Sequence, residues 1–248
     1  MKHKVPILLA LVVAAIVLFS VSAAQAPKAI SLPAPQTEGG RPLMQVLKER
    51  KSTREFGPDA LSPQILSNLL WAAFGINRPD GRRTAPSAMN WQEVSIYVAT
   101  AEGVYVYEAK ENALNPVLAG DFRGATGTQS FVKDAAVNLV YVVDLSKAGG
   151  ADASDAEMYT AADVGFIAQN VYLYCASEGL VTVVRGSIDK PTLAKTLSMA
   201  LFSVRVSAAS VPIPRLLASE TRCSSSRVAT PLWCMWSATA KETSALPG

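Results

Sequence analysis

Histidine is almost missing from this 248-residue chain: the single one is His3. His3 lies in a segment expected to be removed, so the mature protein should hold none. That excludes Ser-His-Asp and Cys-His nucleophilic catalysis and histidine-ligated metal sites. Cysteine is also scarce. Cys175, Cys223 and Cys234 show no metal-ligand spacing, and three thiols make no disulfide framework. Cys175, inside Tyr172-Leu173-Tyr174-Cys175-Ala176, reads as a small buried filler. A Cys223–Cys234 pairing in an oxidising compartment stays open. Charged residues make up 17% of the chain, and the net charge is +3. It falls to about +1 once Lys2 and Lys4 leave, so nucleic acid is not an expected partner. With so few reactive side chains, a bound cofactor is the natural source of any hard chemistry.

What is present begins with an export leader. Met1-Lys2-His3-Lys4 is basic, Ile7 to Phe19 is apolar, and small residues run from Ser20 to Ala26. This pattern is that of a secretory signal peptide cleaved after Ala23 or Ala24, giving a leader of about residues 1–24. The apolar run is shorter than the ~20 residues a spanning helix needs, so an uncleaved anchor is the lesser alternative. No cysteine near the cleavage region offers a lipid anchor. A periplasmic or secreted protein is expected. Residues 25–41 form a Pro-rich lead-in, residues 42–199 read as one domain, and no internal repeat is evident.

The patterning is mixed α and β. Leu43, Val46 and Leu47 form a helical stripe running into Arg50-Lys51-Ser52-Thr53-Arg54. Ser62 caps a second helix with Pro63 at its first position, an apolar face of Ile65, Leu66, Leu69, Leu70, Ala73 and Phe74, and Gly75 at its end. A polar loop follows from Asn77 to Asn90. Val94 to Thr100 and Val104 to Tyr107 read as a hairpin turning at Glu102-Gly103, and Ala136 to Leu145 as a central strand. A long helix should run from Ser154 to Glu178 with Gly179 as terminator. A strand at Leu180 to Val184 and a helix from near Asp189 complete the domain.

Two segments carry chemistry. Arg50, Lys51, Ser52 and Arg54 place three cations and a hydroxyl within five residues, a set suited to an anion. If the segment closes a helix, Arg50 and Arg54, four apart, share one face with room for a phosphate. Taken alone, the cluster also reads as a solvated helix end, because cations favour helix C-termini. The second segment, Pro86-Ser87-Ala88-Met89-Asn90-Trp91-Gln92, is a turn ending in an amide and suits a planar heterocycle.

Together these segments resemble the flavin-binding signatures of the nitroreductase family of FMN-dependent oxidoreductases. The resemblance runs from about Leu43 to Met199 and implies an α+β fold, a mostly antiparallel central sheet flanked by helices. It implies that Arg50, Lys51, Ser52 and Arg54 hold the FMN phosphate, ribityl chain or pyrimidine edge. Pro86, Ser87, Ala88 and Asn90 would line the isoalloxazine ring, with the backbone of Val184, Arg185 and Gly186 on its other side. Asn90 as a plain turn residue and Arg185 as a surface cation are the alternatives. Function would be hydride transfer from a reduced donor such as NAD(P)H to a nitroaromatic or quinone-like acceptor, without a catalytic acid or base. A homodimer holding FMN at its interface is also implied. Tyr159, Ala162, Asp163, Phe166, Gln169, Asn170 and Leu173 leave the long helix apolar on most sides, as a core helix or a dimer seam would be.

The tail departs from the pattern. Residues 200–248 show no clear periodicity and lack the Gly-Tyr-Pro-type ending of the family. A reading-frame change or a replacement tail would account for this, and Arg205 or Arg215 could stand in for the missing basic contact. The other reading is therefore a non-catalytic or crippled flavin-binding scaffold of the same fold.

Overall fold

In the computed structural model, residues 28–57, 59–197 and 234–240 are described, the last as backbone. The leader and most of the tail, including Arg205, Arg215 and Cys223, lie outside the described residues.

Among the described residues, seven strands form one antiparallel sheet: β1 (Ile30–Ser31), β2 (Val94–Ala99), β3 (Gly103–Glu108), β4 (Ala113–Ala119), β5 (Val137–Val143), β6 (Leu180–Arg185) and β7 (Cys234–Ala240). Their order is β1-β4-β3-β2-β5-β7-β6. The expected α+β fold, a mostly antiparallel sheet flanked by helices, is the fold observed. β5 is buried at every position, which is why its sequence Val-Asn-Leu-Val-Tyr-Val-Val shows no polar alternation.

Two strands correct the sequence reading. β4 was not expected, because Asn115 and Pro116 interrupt it. Proline is tolerated there because β1 pairs only with Ala113 and Leu114, leaving the rest of β4 as an edge. β7 adds a strand beyond Met199, where the sequence shows no clear periodicity. It fits between β5 and β6, with Leu139 opposite Trp236 and Val184 opposite Trp236 on its two sides.

Among the described residues, four α-helices accompany the sheet: α1 (Leu43–Glu49), α2 (Pro63–Phe74), α3 (Ala153–Ser177) and α4 (Lys190–Thr196). Ser62 caps α2 by accepting from Ile65 N, and Leu69, Leu70 and Ala73 are fully buried. α3 starts one residue before the expected Ser154: Asp152 is the cap, its carboxylate accepting from Ser154 N and Asp155 N. Gly179, at φ 72°, ends α3 in the left-handed conformation that suits glycine. The main core lies between the sheet and α2 and α3, and a smaller one lies on the opposite face under Leu193 and Leu197. Cys175 is wholly buried in the main core, and burial pushes its thiol up, as befits a filler.

Two apolar surfaces face outward. The α1 stripe buries Val46 alone and exposes Leu43, Met44 and Leu47. α3 buries Val164, Ile167, Ala168 and Val171 but exposes Met158, Tyr159 and Phe166 on its far side. It is therefore not buried on most sides, as its composition suggests, but keeps one apolar flank free. Among the described residues, no helix is long and apolar enough to cross a membrane.

Candidate functional site

The segment after α1 is not helical. Arg50 is the α1 C-cap with ψ 120°, and the chain continues extended, Thr53 N donating to Thr182 O at 3.0 Å beside β6. The shared helical face expected for Arg50 and Arg54 is thus replaced by the period-2 alternation of extended backbone. Arg50 and Ser52 turn to one side, where both meet Tyr172 of α3. The Arg50 guanidinium carbon sits 5.0 Å above the Tyr172 ring, and Ser52 Oγ lies 2.7 Å from the Tyr172 hydroxyl. Lys51, Thr53 and Glu55 line a cavity of about 810 Å³ with Arg41, Glu49, Ser177 and Tyr172 itself. Lys51, Ser52 and Arg54 are exposed and Arg50 is half-buried.

Tyr172 also reaches the third predicted segment. Its hydroxyl accepts from Val184 N at 3.0 Å, so one side chain ties the basic segment to the end of β6. In the sequence, Tyr172 lies in the apolar stretch Tyr172-Leu173-Tyr174-Cys175-Ala176. The signal was there: a hydroxyl on a mostly apolar helix needs a partner when it is brought inside.

Arg185 points elsewhere. Its side chain is buried on the opposite face of the sheet, donating to Asn138 Oδ1 at 3.0 Å and to the Thr126 carbonyl. At 4% exposure it is no surface cation. Gly186, just past the strand, is exposed, and an added Cβ there would meet nothing within 4 Å, so the backbone is open to close approach.

The turn after Pro86 is held from beneath by α3. Ala88 N donates to Asp163 Oδ2 at 2.8 Å. Ser87 Oγ accepts from Gln92 N at 2.9 Å and contacts Glu93 Oε2 at 3.3 Å. Met89, Asn90 and Gln92 all have positive φ, at 51°, 56° and 47°. Three non-glycine residues in this region within four positions is a concentration of strain of the kind found at ligand-binding turns. Pro86, Met89 and Asn90 are exposed. Asn90 Oδ1 accepts from Gln92 Nε2 at 3.0 Å, which leaves the amide N–H₂ to a ligand. Trp91 packs edge-on against Tyr159 of α3 with ring centroids 5.9 Å apart.

Two buried acids lie under this turn, neither foreseen as part of a site. Glu93 is fully buried, and burial, aided by the nearby Asp163 charge, pushes its carboxyl up to about 7. Asp163 is 2% exposed, and burial raises it too.

α3 therefore underlies both halves of the candidate site. Asp163 holds the Ala88 turn and Tyr172 holds Ser52, nine residues apart on one helix, or about 13–14 Å along its axis. The fold is that of a class of flavin-dependent oxidoreductases. The chain belongs to the nitroreductase family, whose profile matches residues 47–209. It is 31% identical over 155 residues, 58% of this chain and 78% of its counterpart, to a protein of Methanocaldococcus jannaschii whose name places it provisionally among the nitroreductases. A crystal structure from Ralstonia eutropha JMP134, named in the same provisional way, is similar at TM-score 0.71 and 34% identity, over 90% of this chain and 93% of that one. A structure from Desulfovibrio desulfuricans in complex with FMN shares the fold at TM-score 0.52 and 16% identity, over 85% and 92%.

Proposed function

We propose that this protein is an exported, homodimeric FMN-dependent oxidoreductase that moves hydride from a donor such as NAD(P)H to a nitroaromatic or quinone-like acceptor. The observation that carries the reading is the Tyr172 bridge, which brings the Arg50–Ser52 segment to the end of β6, with the strained Ser87–Asn90 turn further along the same helix.

The donor set fits the group. Arg50, Ser52 and Arg54 offer two cations and a hydroxyl on one side of an extended strand, and would hold the phosphate end. Pro86, Ser87, Ala88 and Asn90 would bound the ring on one side, and Val184, Arg185 and Gly186 on the other through backbone alone. Ala88 N and Val184 N are already engaged by Asp163 and Tyr172, so Asn90 and the open backbone at Gly186 are the donors left for a ligand. FMN, when bound, supplies a ring that accepts and passes on hydride. The chain's own part is to bind, orient and exclude water.

Dimerisation draws support from the outer flank of α3, where Met158, Tyr159 and Phe166 are exposed around the small residues Ala162 and Gly165. The scaffold reading rested on a tail without family-like structure, and the presence of β7 in the sheet argues against it. Absorbance spectroscopy on protein purified and incubated with excess FMN tests the proposal. A yellow protein with flavin retained after desalting is expected; a colourless one defeats the reading.

A further inference from the structure

Glu93 opens the approach to β2, and Asp163 sits in the middle of α3. Both carboxyls reach the same turn at adjacent residues: Asp163 Oδ2 accepts from Ala88 N at 2.8 Å and Glu93 Oε2 accepts from the Ser87 hydroxyl at 3.3 Å, which sets the two acids against each other. Glu93 Oε1 is buried without a hydrogen-bond partner among the described residues, as a carboxylate oxygen would be when a second carboxylate faces it. Protonated, the same group becomes a donor.

Among the described residues, no cation pairs with either acid. Arg83, on the preceding loop, is held by Gln92 Oε1 and the Phe74 carbonyl. Lys147 donates to the Gln92 carbonyl, and Asp144 caps its own turn on Ser146. α2 contributes no charged residue, β5 contributes only Tyr141 as a titratable group, and the other acids of α3, Asp155 and Glu157, are exposed. None of the ion pairs among the described residues includes Glu93 or Asp163. Two ionised carboxylates cannot share such a site without cost.

We propose that Glu93 and Asp163 hold one proton between them, and that this proton positions the Ser87–Asn90 turn, making the two acids positioning residues for the ring side of the site. With the proton in place, Glu93 donates to Asp163. The Asp163 carboxylate in turn accepts from Ala88 N, and the Ser87 hydroxyl donates to Glu93. When the proton leaves to solvent, the acids repel. Neither backbone gives way easily: Val94, next to Glu93, pairs with Val143, and Val164, next to Asp163, is buried in the core. The displacement therefore falls on Ser87 to Gln92, whose backbone is already strained. Ligand affinity at the turn becomes a function of the pair's ionisation.

The inference rests on the flavin reading only for its ligand, so the test separates the two. Infrared difference spectra of the ligand-free protein, unlabelled and with ¹³C-glutamate, are taken across neutral pH. A protonated carboxylic C=O band that shifts with the label, titrates near pH 7 and is absent from Glu93→Gln is expected. The FMN dissociation constant by fluorescence quenching should rise about three- to tenfold from about pH 6 to about pH 8 in the wild type, and stay level in Glu93→Gln. The isotope shift assigns the band in the wild type, so the result stands even if the variant does not fold. A glutamate band that disappears together with the surface carboxylates, or an FMN affinity equally pH-dependent in Glu93→Gln, overturns the proposal. Failure to bind FMN at any pH defeats the flavin reading, and the infrared titration alone then decides the pair.

Discussion

The hydroxyl of Tyr172 lies 2.7 Å from Ser52 Oγ while accepting from Val184 N at 3.0 Å. Tyr172→Phe removes both contacts and leaves the ring under Arg50. Each hydrogen bond is worth about 1 kcal/mol net. The variant should stay folded, lose about 1–2 kcal/mol of stability, and bind FMN about five- to tenfold more weakly, measured by denaturant melts and flavin fluorescence. Wild-type FMN affinity in Tyr172→Phe would show that the bridge has no part in binding.

Arg50 and Arg54 should act on one anion. A charge-assisted contact contributes ~1.5–3 kcal/mol, so Arg54→Ala should weaken FMN binding roughly 10- to 150-fold. Folding should be unaffected, because Arg54 is exposed. Lys51→Ala should cost less, since Lys51 turns into the neighbouring cavity. Titration of ligand-free protein with FMN would compare the three, and equal affinities would reduce the cluster to a solvated chain segment.

Arg185 should matter to the fold and not directly to the ligand. Arg185→Met removes the guanidinium hydrogen bonds to Asn138 Oδ1 and the Thr126 carbonyl, at a cost of about 1.5–3 kcal/mol. Gly127→Ala should act similarly, by driving a methyl into the Arg185 guanidinium. Thermal melts would show both losses. A large fall in FMN affinity at unchanged stability would instead place the Arg185 side chain in the site.

Stability should fall as pH rises from about 4.5 to about 7. Glu93 titrates at 4.5 when unfolded and near 7 when folded, so the native state binds more protons than the unfolded chain across that window. The unfolding free energy then has a negative slope with pH there, the reverse of the usual carboxylate. Urea melts at several pH values would show the slope, and Glu93→Gln should flatten it. A slope retained in the variant would assign it to other groups.

The exposed flank of α3 predicts the oligomeric state. Phe166 is 48% exposed on a helix whose inner side is core. Phe166→Glu should convert a dimer into a folded monomer in sedimentation or light scattering. A wild-type protein that is monomeric at micromolar concentration would remove the dimer from the proposal.

Much of this was legible in the sequence because local signals were strong there. Ser62-Pro63 marked the α2 start, Gly179 the α3 end, and the unbroken apolar run the central strand. β4 was hidden by Pro116, which is harmless only because β1 is two residues long, a fact of the assembled sheet. β7 was hidden by a composition without clear periodicity, and its place between β5 and β6 is a fact of the assembled sheet. The Arg-x-Ser-x-Arg spacing is itself period two, and read that way it would have indicated an extended segment and not a helix end. Glu93 and Asp163 carried no such cue. They are 70 residues apart, and only the packing of α3 against the Ser87–Gln92 turn and the head of β2 makes them a pair.

One helix thus has two audiences. The inner side of α3 touches the candidate pocket at Asp163 and at Tyr172, and its outer side offers Met158, Tyr159 and Phe166. A rigid rod seated by a second subunit would carry that seating to both ends of the pocket together. Ligand retention by such a protein becomes a matter of dilution as well as of ligand supply: loss of the neighbouring copy at low concentration would loosen the phosphate end and the ring end in a single event.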